Sequence, residues 1–394
     1  MRRERTQVAI VGGGPAGLLL GQLLTQAGID NVILERQSKS AVLRRIRAGV
    51  LESHSVDILR ASGLRTRMDD LGMPKNGAWI VWQNRPAHFI DIARWTGRQM
   101  MAYGQTMLTE DLYAARAAAG SDVLDEAEDV ALHGIDGPAP HLTYRRQGQD
   151  NRLDCDFVAG CDGFHGPSRP AIPSKLCRVH ERSYPFGWLG IMVERPPLPD
   201  ITYARHAEGF AMASRRTPML SRYYVQAPIS DSPEDWSDDR FWDTLLRRFP
   251  PEIAARIETG PSIEKSMAPL RSFVTEPMQY GRLYLAGDAG HIVPPTGAKG
   301  LNLAISDVYF LSRGLIAHYA EGTDRLLNGY SAAALRRIWA AQSLSSRLTR
   351  LLHVYPDDDA FTSRLVEAEY ETLLRSETAQ AALAHDYAGL PYLG

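Results

Sequence analysis

The sequence predicts an α/β fold. A parallel βαβ unit opens it, a second domain is built on a mixed sheet, and the C-terminal region is helical. Three observations predict this. Two short apolar runs near the start flank a leucine-rich stretch with helical spacing. Residues 184 to 263 carry strand-like runs cut by proline-rich turns. Residues 301–350 and 359–384 repeat apolar positions at helical spacing.

Composition bounds the answer. At 394 residues the chain exceeds one ordinary domain, and 44% apolar content supports a sizeable core. A net charge of −2 gives no electrostatic reason to expect nucleic acid. Three cysteines, Cys155, Cys161 and Cys177, are too few and too clustered for a disulfide framework, which fits a reducing cytoplasm. Cys155 and Cys161 with His165 lack a fourth ligand at suitable spacing, so no metal is expected. No apolar run approaches the ~18–20 residues of a membrane helix. Met1-Arg2-Arg3-Glu4-Arg5 resembles a twin-arginine leader, but the apolar stretch behind it is broken by Gly12-Gly13-Gly14-Pro15. A frayed, charged terminus ahead of the first strand is the expectation.

The first element, residues 7–11, alternates too little for a half-exposed strand and reads as a buried parallel one. Gly12, Gly14 and Gly17 then fit G-x-G-x-x-G. Gly12 permits a sharp turn, Gly14 lets a pyrophosphate approach the backbone, and Gly17 lets helix pack on strand. The helix begins near Pro15 and stops near Gly28, with its N-terminal N–H groups aimed at the phosphates. A second buried strand, Asn31-Val32-Ile33-Leu34, ends at Glu35, placed to hold a ribose hydroxyl. This is a Rossmann-like, glutathione-reductase-like unit.

Two later segments repeat the theme. Gly160-Cys161-Asp162-Gly163 follows a strand over 156–160, and an acid before glycine suits backbone contact with a dinucleotide. Leu285-Ala286-Gly287-Asp288 ends a strand over 282–286, so Asp288 can reach a ribitol hydroxyl. Pro294-Pro295-Thr296-Gly297-Ala298-Lys299-Gly300-Leu301-Asn302 then enters a helix, whose N-terminus favours the negative charge of a reduced flavin. In this order the three segments point to an FAD enzyme. There is a single G-x-G-x-x-G after a strand, so a second nucleotide fold is not expected. The parts divide into an FAD-binding domain (1–73, 99–182 and 264–320), a substrate-binding sheet domain (74–98 and 183–263), and a C-terminal helical interface region (321–394). A strand is expected at Ala78–Trp82 and a helix near 109–119.

At this point the chain resembles a known family, the single-component flavoprotein aromatic hydroxylases, from Gln7 to Tyr392. The most specific stretches are Arg45-Ile46-Arg47-Ala48-Gly49-Val50-Leu51-Glu52, Tyr184-Pro185-Phe186-Gly187-Trp188-Leu189-Gly190, Ser221-Arg222-Tyr223-Tyr224-Val225-Gln226 and Tyr387-Ala388-Gly389-Leu390-Pro391-Tyr392. The resemblance implies hydroxylation of 4-hydroxybenzoate at C3, through the flavin C4a-hydroperoxide, with NADPH (or NADH) and O2 consumed. It implies a cytoplasmic homodimer, with no membrane or nucleic-acid partner.

The resemblance also implies roles. Arg216, Ser214 and Tyr224 grip the substrate carboxylate, a planar guanidinium being suited to a bidentate pair. Tyr203 holds the phenol oxygen and Tyr387 passes its proton onward, while the Pro295 carbonyl faces the same ring. Glu35 holds the adenosine ribose, Arg47 and Gln105 the pyrophosphate and ribityl region, and Asp162 and Asp288 further parts of the dinucleotide. Leu301 and Asn302 hold the flavin ring by backbone and side chain, and Arg222 steadies the flavin as it swings. Arg36, Arg45, His165 and Arg271 bind the nicotinamide coenzyme, and Arg36, Lys39, Arg44 and Arg45 favour a 2′-phosphate. Two departures stand out. Lys75 replaces the histidine that ends the family's proton relay, and Ala41 replaces an aromatic residue beside the coenzyme. The rivals are the same chemistry on an aminobenzoate or dihydroxybenzoate, and a flavin-binding protein without catalysis. A plain NAD-dependent dehydrogenase has no use for the Asp288 segment.

Overall fold

The computed structural model describes residues 2–44, 49–121 and 123–392. The nucleotide-binding sheet has six strands in the order Gln279–Tyr280, Leu283–Leu285, Phe157–Gly160, Val8–Val11, Asn31–Leu34, Val123–Leu124. All but the first pairing are parallel. The residues of Val8–Val11, Phe157–Gly160 and Leu283–Leu285 are buried throughout. Burial on both faces is why these strands are continuous apolar runs. These three are neighbours, so the three glycine segments leave the carboxyl ends of adjacent parallel strands. That edge is where open α/β sheets bind ligands. The helices Pro15–Gln26 and Gly300–Glu321 pack together beside it.

The second sheet has eight strands: His291–Ile292, Glu264–Glu276, Arg178–Val193, Leu220–Pro228, Gly209–Thr217, Thr202–His206, Gly77–Trp82, His88–Asp91. Thr202–His206 pairs parallel with Gly77–Trp82 and the other pairings are antiparallel, so the sheet is mixed. It crosses the expected boundary at 263/264. Glu264–Glu276 lies along Arg178–Val193 and carries the chain from one sheet to the other.

Several elements differ from expectation. The charged terminus is not frayed: Arg2–Arg5 is a strand, paired parallel to Gln149–Asp154 in a sheet completed by His141–Arg146 and Glu128–His133. Two of its charges are met by distant carboxylates, Arg3 by Asp154 and Arg5 by Asp156. Polar strands of this kind carry no apolar alternation to mark them. The helix expected near 109–119 spans Gln105–Ala118, starting right after Gly104. The helical run 359–384 is two helices, Ala360–Arg375 and Glu377–Ala388. Ser376 divides them, and its hydroxyl caps the second by accepting from the Ala379 N–H at 3.2 Å. A helix over Arg325–Leu352 runs antiparallel-fashion back along Gly300–Glu321 after a short turn. Among the described residues no helix is long and apolar enough to cross a membrane, and none of their His, Cys, Asp and Glu side chains cluster as a metal site.

Candidate active site

One cavity of about 1020 Å³ runs from the nucleotide-binding strands to the mixed sheet. That is at the upper end of ordinary ligand pockets, room for a dinucleotide with a small aromatic beside it. Gly12, Gly14, Glu35, Arg36, Gln105, Asp162, His165, Asp288, Pro295 and Leu301 line it, as do Tyr203, Ser214, Arg216, Arg222 and Tyr224.

The nucleotide end fits FAD on its own geometry. Gly12 has φ +109°, and a Cβ there would stand 2.3 Å from the Cys161 carbonyl oxygen. A Cβ on Gly17 would stand 2.0 Å from the Gly12 oxygen, which explains a glycine that does not line the cavity. Around Gly14 nothing lies within 4 Å of where a side chain would begin, so its openness is toward a ligand. Glu35 at the strand end accepts from the Gly13 N–H at 2.7 Å and the Gln37 N–H at 2.8 Å. Asp162 accepts from the Ser168 N–H at 2.8 Å with one oxygen, and its other oxygen is buried without a protein partner. Burial raises the pKa of that carboxyl, against the Ser168 hydrogen bonds. Arg47 lies outside the described residues.

The part of the cavity expected to take the flavin ring is built from the turn Pro295–Gly297 and the helix it leads into. The first intrahelical bond joins the Leu303 N–H to the Lys299 carbonyl at 2.9 Å. The N–H groups before it, at Gly300, Leu301 and Asn302, are those a helix leaves unpaired. The Pro295 carbonyl already accepts from the Ala298 N–H at 2.9 Å, leaving one lone pair for the cavity. Asn302 departs from expectation. Its side chain donates to the Val50 and Ala298 carbonyls at 2.8 and 3.0 Å and accepts from the Glu52 N–H at 2.8 Å. It is fully buried and outside the cavity lining. The side chain is therefore spent on locking residues 50–52 to the helix, and only its backbone N–H is left for a ligand.

At the other end, the strand pair Gly209–Thr217 and Leu220–Pro228 sets Ser214 opposite Arg222. Arg216 donates to the Ser214 hydroxyl at 3.1 Å, and Tyr224 stands on the neighbouring strand. Burial lowers the Arg216 pKa, with Tyr224 opposing. Arg222 donates to Glu264 at 2.8 Å and Ser266 at 2.6 Å, and its guanidinium lies 5.1 Å from the Tyr224 ring centre. Burial lowers its pKa, but Tyr224 and Glu264 carry it upward overall. The Tyr224 ring lies on Gly190, where a Cβ would stand 2.5 Å from ring carbons. Tyr203 and Tyr387 are both buried, with hydroxyl oxygens 2.8 Å apart. Tyr203 lines the cavity and Tyr387 stands behind it. Burial raises both pKa values, that of Tyr387 to about 12, so both are neutral hydroxyls.

The residues expected to bind the coenzyme do not form one cluster among the described residues. Arg36 and His165 line the cavity. Arg271 pairs with Glu181 at 3.2 Å and lies 4.6 Å from the Phe164 ring centre, which also has His165 at 5.0 Å. Lys39 sits 5.1 Å from the Tyr113 ring centre, and Ala41 is on its short helix. Arg44 is exposed, and Arg45 lies outside the described residues. The Lys75 ammonium is held by the Pro199 carbonyl at 2.5 Å and Asp200 at 3.4 Å.

Sequence reasoning missed a supporting layer. Lys299 is buried, donating to Glu52 and to the Tyr387 carbonyl at 2.7 Å each, and Arg337 joins Glu52 at 3.2 Å. Asp307 accepts from the Gly287 N–H at 2.9 Å and pairs with His291 at 2.6 Å, fixing the Gly287-Asp288 turn. Against the burial that lowers it, the Asp307 charge raises the His291 pKa. Trp188 and Met212 also line the cavity. Lys299 lies inside the third glycine segment, and Glu52 and Trp188 lie in stretches of family resemblance that gave them no role.

Comparison with known proteins agrees with this geometry. The family model described as FAD binding domain matches residues 5–345. A p-hydroxybenzoate hydroxylase of Acinetobacter baylyi is 47% identical over 394 residues, all of this chain and 97% of that protein. A 3-(3-hydroxy-phenyl)propionate/3-hydroxycinnamic acid hydroxylase of Burkholderia vietnamiensis is 26% identical over 78% of this chain, which spans 56% of that protein. The solved structure of p-nitrophenol 4-monooxygenase from Pseudomonas putida shares the fold, with a TM-score of 0.79 at 17% identity over 99% of each chain. The chain belongs to the FAD-binding family of aromatic hydroxylases, and it is a flavoprotein monooxygenase that hydroxylates an aromatic compound.

Proposed function

We propose that the chain hydroxylates 4-hydroxybenzoate at C3, giving 3,4-dihydroxybenzoate, with NADPH and O2 consumed. The observation that carries this is that one end of the cavity holds two different polar groups: the Arg216–Ser214 pair with Tyr224, and Tyr203 backed by the buried Tyr387 hydroxyl. A carboxylate suits the first and a phenol the second. The name of the A. baylyi relative supports the same substrate.

The guanidinium of Arg216 holds the carboxylate, the Tyr224 hydroxyl fills a remaining acceptor site, and the Ser214 hydroxyl fills another by turning from the Arg222 carbonyl, to which it donates at 3.1 Å. Tyr203 hydrogen-bonds the 4-oxygen. Because both tyrosines stay neutral, each can accept one proton while releasing another, so the phenol proton is relayed through Tyr203 and Tyr387 and onward, leaving the substrate as a phenolate without charging either tyrosine. FAD held in this cavity would supply the redox chemistry and the activated oxygen. Gly12, Gly14, Glu35, Asp162, Asp288 and the N–H groups before Leu303 hold that cofactor. Arg222, braced by Glu264 and Ser266, steadies its ring. Arg36, Arg45, His165 and Arg271 receive NADPH. The held position of Lys75 supports a relay that leaves Tyr387 by another route. The same reading makes the enzyme a cytoplasmic homodimer.

A panel of para-substituted benzoates tests the reading, followed by NADPH oxidation and by chromatography of products. The expected result is 3,4-dihydroxybenzoate from 4-hydroxybenzoate as the best-coupled reaction. Efficient product from 4-aminobenzoate alone, or none from any benzoate, contradicts it.

A further inference from the structure

We propose that His353 is a positioning residue of the substrate site, fixing the Trp188 indole in the cavity wall and tying that wall to the Pro295–Gly297 turn. The proposal rests on the reading of the cavity as a place for an aromatic acid beside FAD.

The geometry begins with Trp188, which lines the cavity. Its indole N–H donates to His353 Nε2 at 2.7 Å. The His353 Nδ1–H donates to the Thr349 carbonyl at 3.0 Å, so one neutral tautomer satisfies both contacts. Burial pushes this imidazole down to about 3, which keeps the accepting lone pair available. The held indole packs against Tyr224 directly and reaches Tyr203 through Phe210. Its ring lies 5.2 Å from Tyr224 and stacks at 4.7 Å on Phe210, which is 6.2 Å from Tyr203.

The other end of the strut meets the flavin-ring turn. Thr349, one helical turn before His353, shares a hydroxyl contact of 2.9 Å with Thr296. One turn earlier, Ser345 Oγ stands 2.9 Å from where a Cβ on Gly297 would be. Residues 345, 349 and 353 thus form one face at the end of the Arg325–Leu352 helix. That face reaches the turn beside Pro295 and the wall beside Tyr224. Arg205 fastens it further, donating to the carbonyls of Leu351 and His353 at 3.1 and 2.6 Å. All four residues are buried.

A packing role and a positioning role differ in what replaces the imidazole. Leu fills the space without an acceptor, whereas Gln offers a carbonyl oxygen to the indole. The experiment uses the FAD-loaded enzyme, reading 4-hydroxybenzoate binding from the flavin absorbance and product formed per NADPH oxidised. His353→Leu should weaken binding about tenfold and at least halve the product ratio. His353→Gln should return both to within about threefold of the parent. Trp188→Phe, which removes the donor, should match His353→Leu, and the double variant should add less than about twofold.

Binding and product within about twofold of the parent in His353→Leu would overturn the proposal. So would a Gln variant as impaired as Leu, or additive losses in the double variant. Should His353→Leu not fold, unchanged binding and coupling in Trp188→Phe overturns it equally. Binding is measured apart from turnover. A parent enzyme that binds benzoates without hydroxylating 4-hydroxybenzoate therefore fails the functional reading, while the His353 comparison is still decided on affinity.

Discussion

Replacing Tyr203 with Phe removes one oxygen atom and separates binding from chemistry. The Tyr203 and Tyr387 hydroxyls are 2.8 Å apart, and both rings are almost wholly buried. Without Tyr203 Oη, the Tyr387 hydroxyl loses a partner in a place water does not reach, a stability loss of about 1–3 kcal/mol. The substrate loses a neutral hydrogen bond to its 4-oxygen, worth ~0.5–1.5 kcal/mol, or about two- to tenfold in affinity. The chemistry loses more. A positioned proton acceptor contributes about 10²–10⁴-fold, and the phenol no longer has one. Product formation should therefore fall roughly a hundredfold or more while binding falls tenfold at most. NADPH and O2 should still be consumed, with hydrogen peroxide replacing the diphenol. Oxygen uptake with and without catalase, alongside chromatography, measures the partition. Binding and product yield falling together by the same small factor would remove the tyrosine pair from the proton path.

Arg216→Ala should weaken 4-hydroxybenzoate binding by roughly 2–4 kcal/mol, since the carboxylate loses its charged partner. An unchanged dissociation constant would place the carboxylate elsewhere. NADPH should outperform NADH by on the order of tenfold or more, through Arg36 and its basic neighbours, and the preference should shrink as salt rises. Equal efficiency with both coenzymes would make that cluster irrelevant. His353 sets a pH window for stability. Its folded pKa of about 3 lies below the ordinary 6.5, so the unfolded chain binds more protons between those values. The corresponding stability is full above the ordinary value and is lost as pH falls toward the folded one, on the order of 5 kcal/mol over the whole span. Denaturant melts from pH 7 to 4 should fall less steeply for His353→Gln than for the parent. Parallel curves would show that His353 titrates normally.

The nucleotide-binding core was legible because each of its parts has a local cause. Gly12 needs a positive φ, Gly14 needs open space, and the central strands are apolar because both faces are buried. The mixed sheet was legible in texture but not in extent. Glu264–Glu276 joins it because of pairing with Arg178–Val193, a contact that sequence periodicity does not encode. The Arg2–Arg5 strand was hidden for a related reason: two of its charges are answered by Asp154 and Asp156, far along the chain. In the site, Tyr203, Ser214, Arg216 and Tyr224 came through family resemblance, and their convergence on one cavity is a tertiary fact. Asn302 was assigned to the flavin from its place in a motif, yet its side chain is consumed by Val50, Glu52 and Ala298. His353, Asp307 and Glu52 left no trace in spacing. Each acts through a partner more than a hundred residues away or through a turn whose shape appears only on folding.

The central claim is that one cavity holds a carboxylate at Arg216 and a phenol at Tyr203, with the flavin alongside. A crystal structure of the enzyme with FAD and 4-hydroxybenzoate tests it most directly. The account predicts carboxylate oxygens within about 3 Å of the Arg216 guanidinium, and the 4-oxygen at a similar distance from Tyr203 Oη. A benzoate bound in the reverse sense, or with its carboxylate away from Arg216, would contradict it.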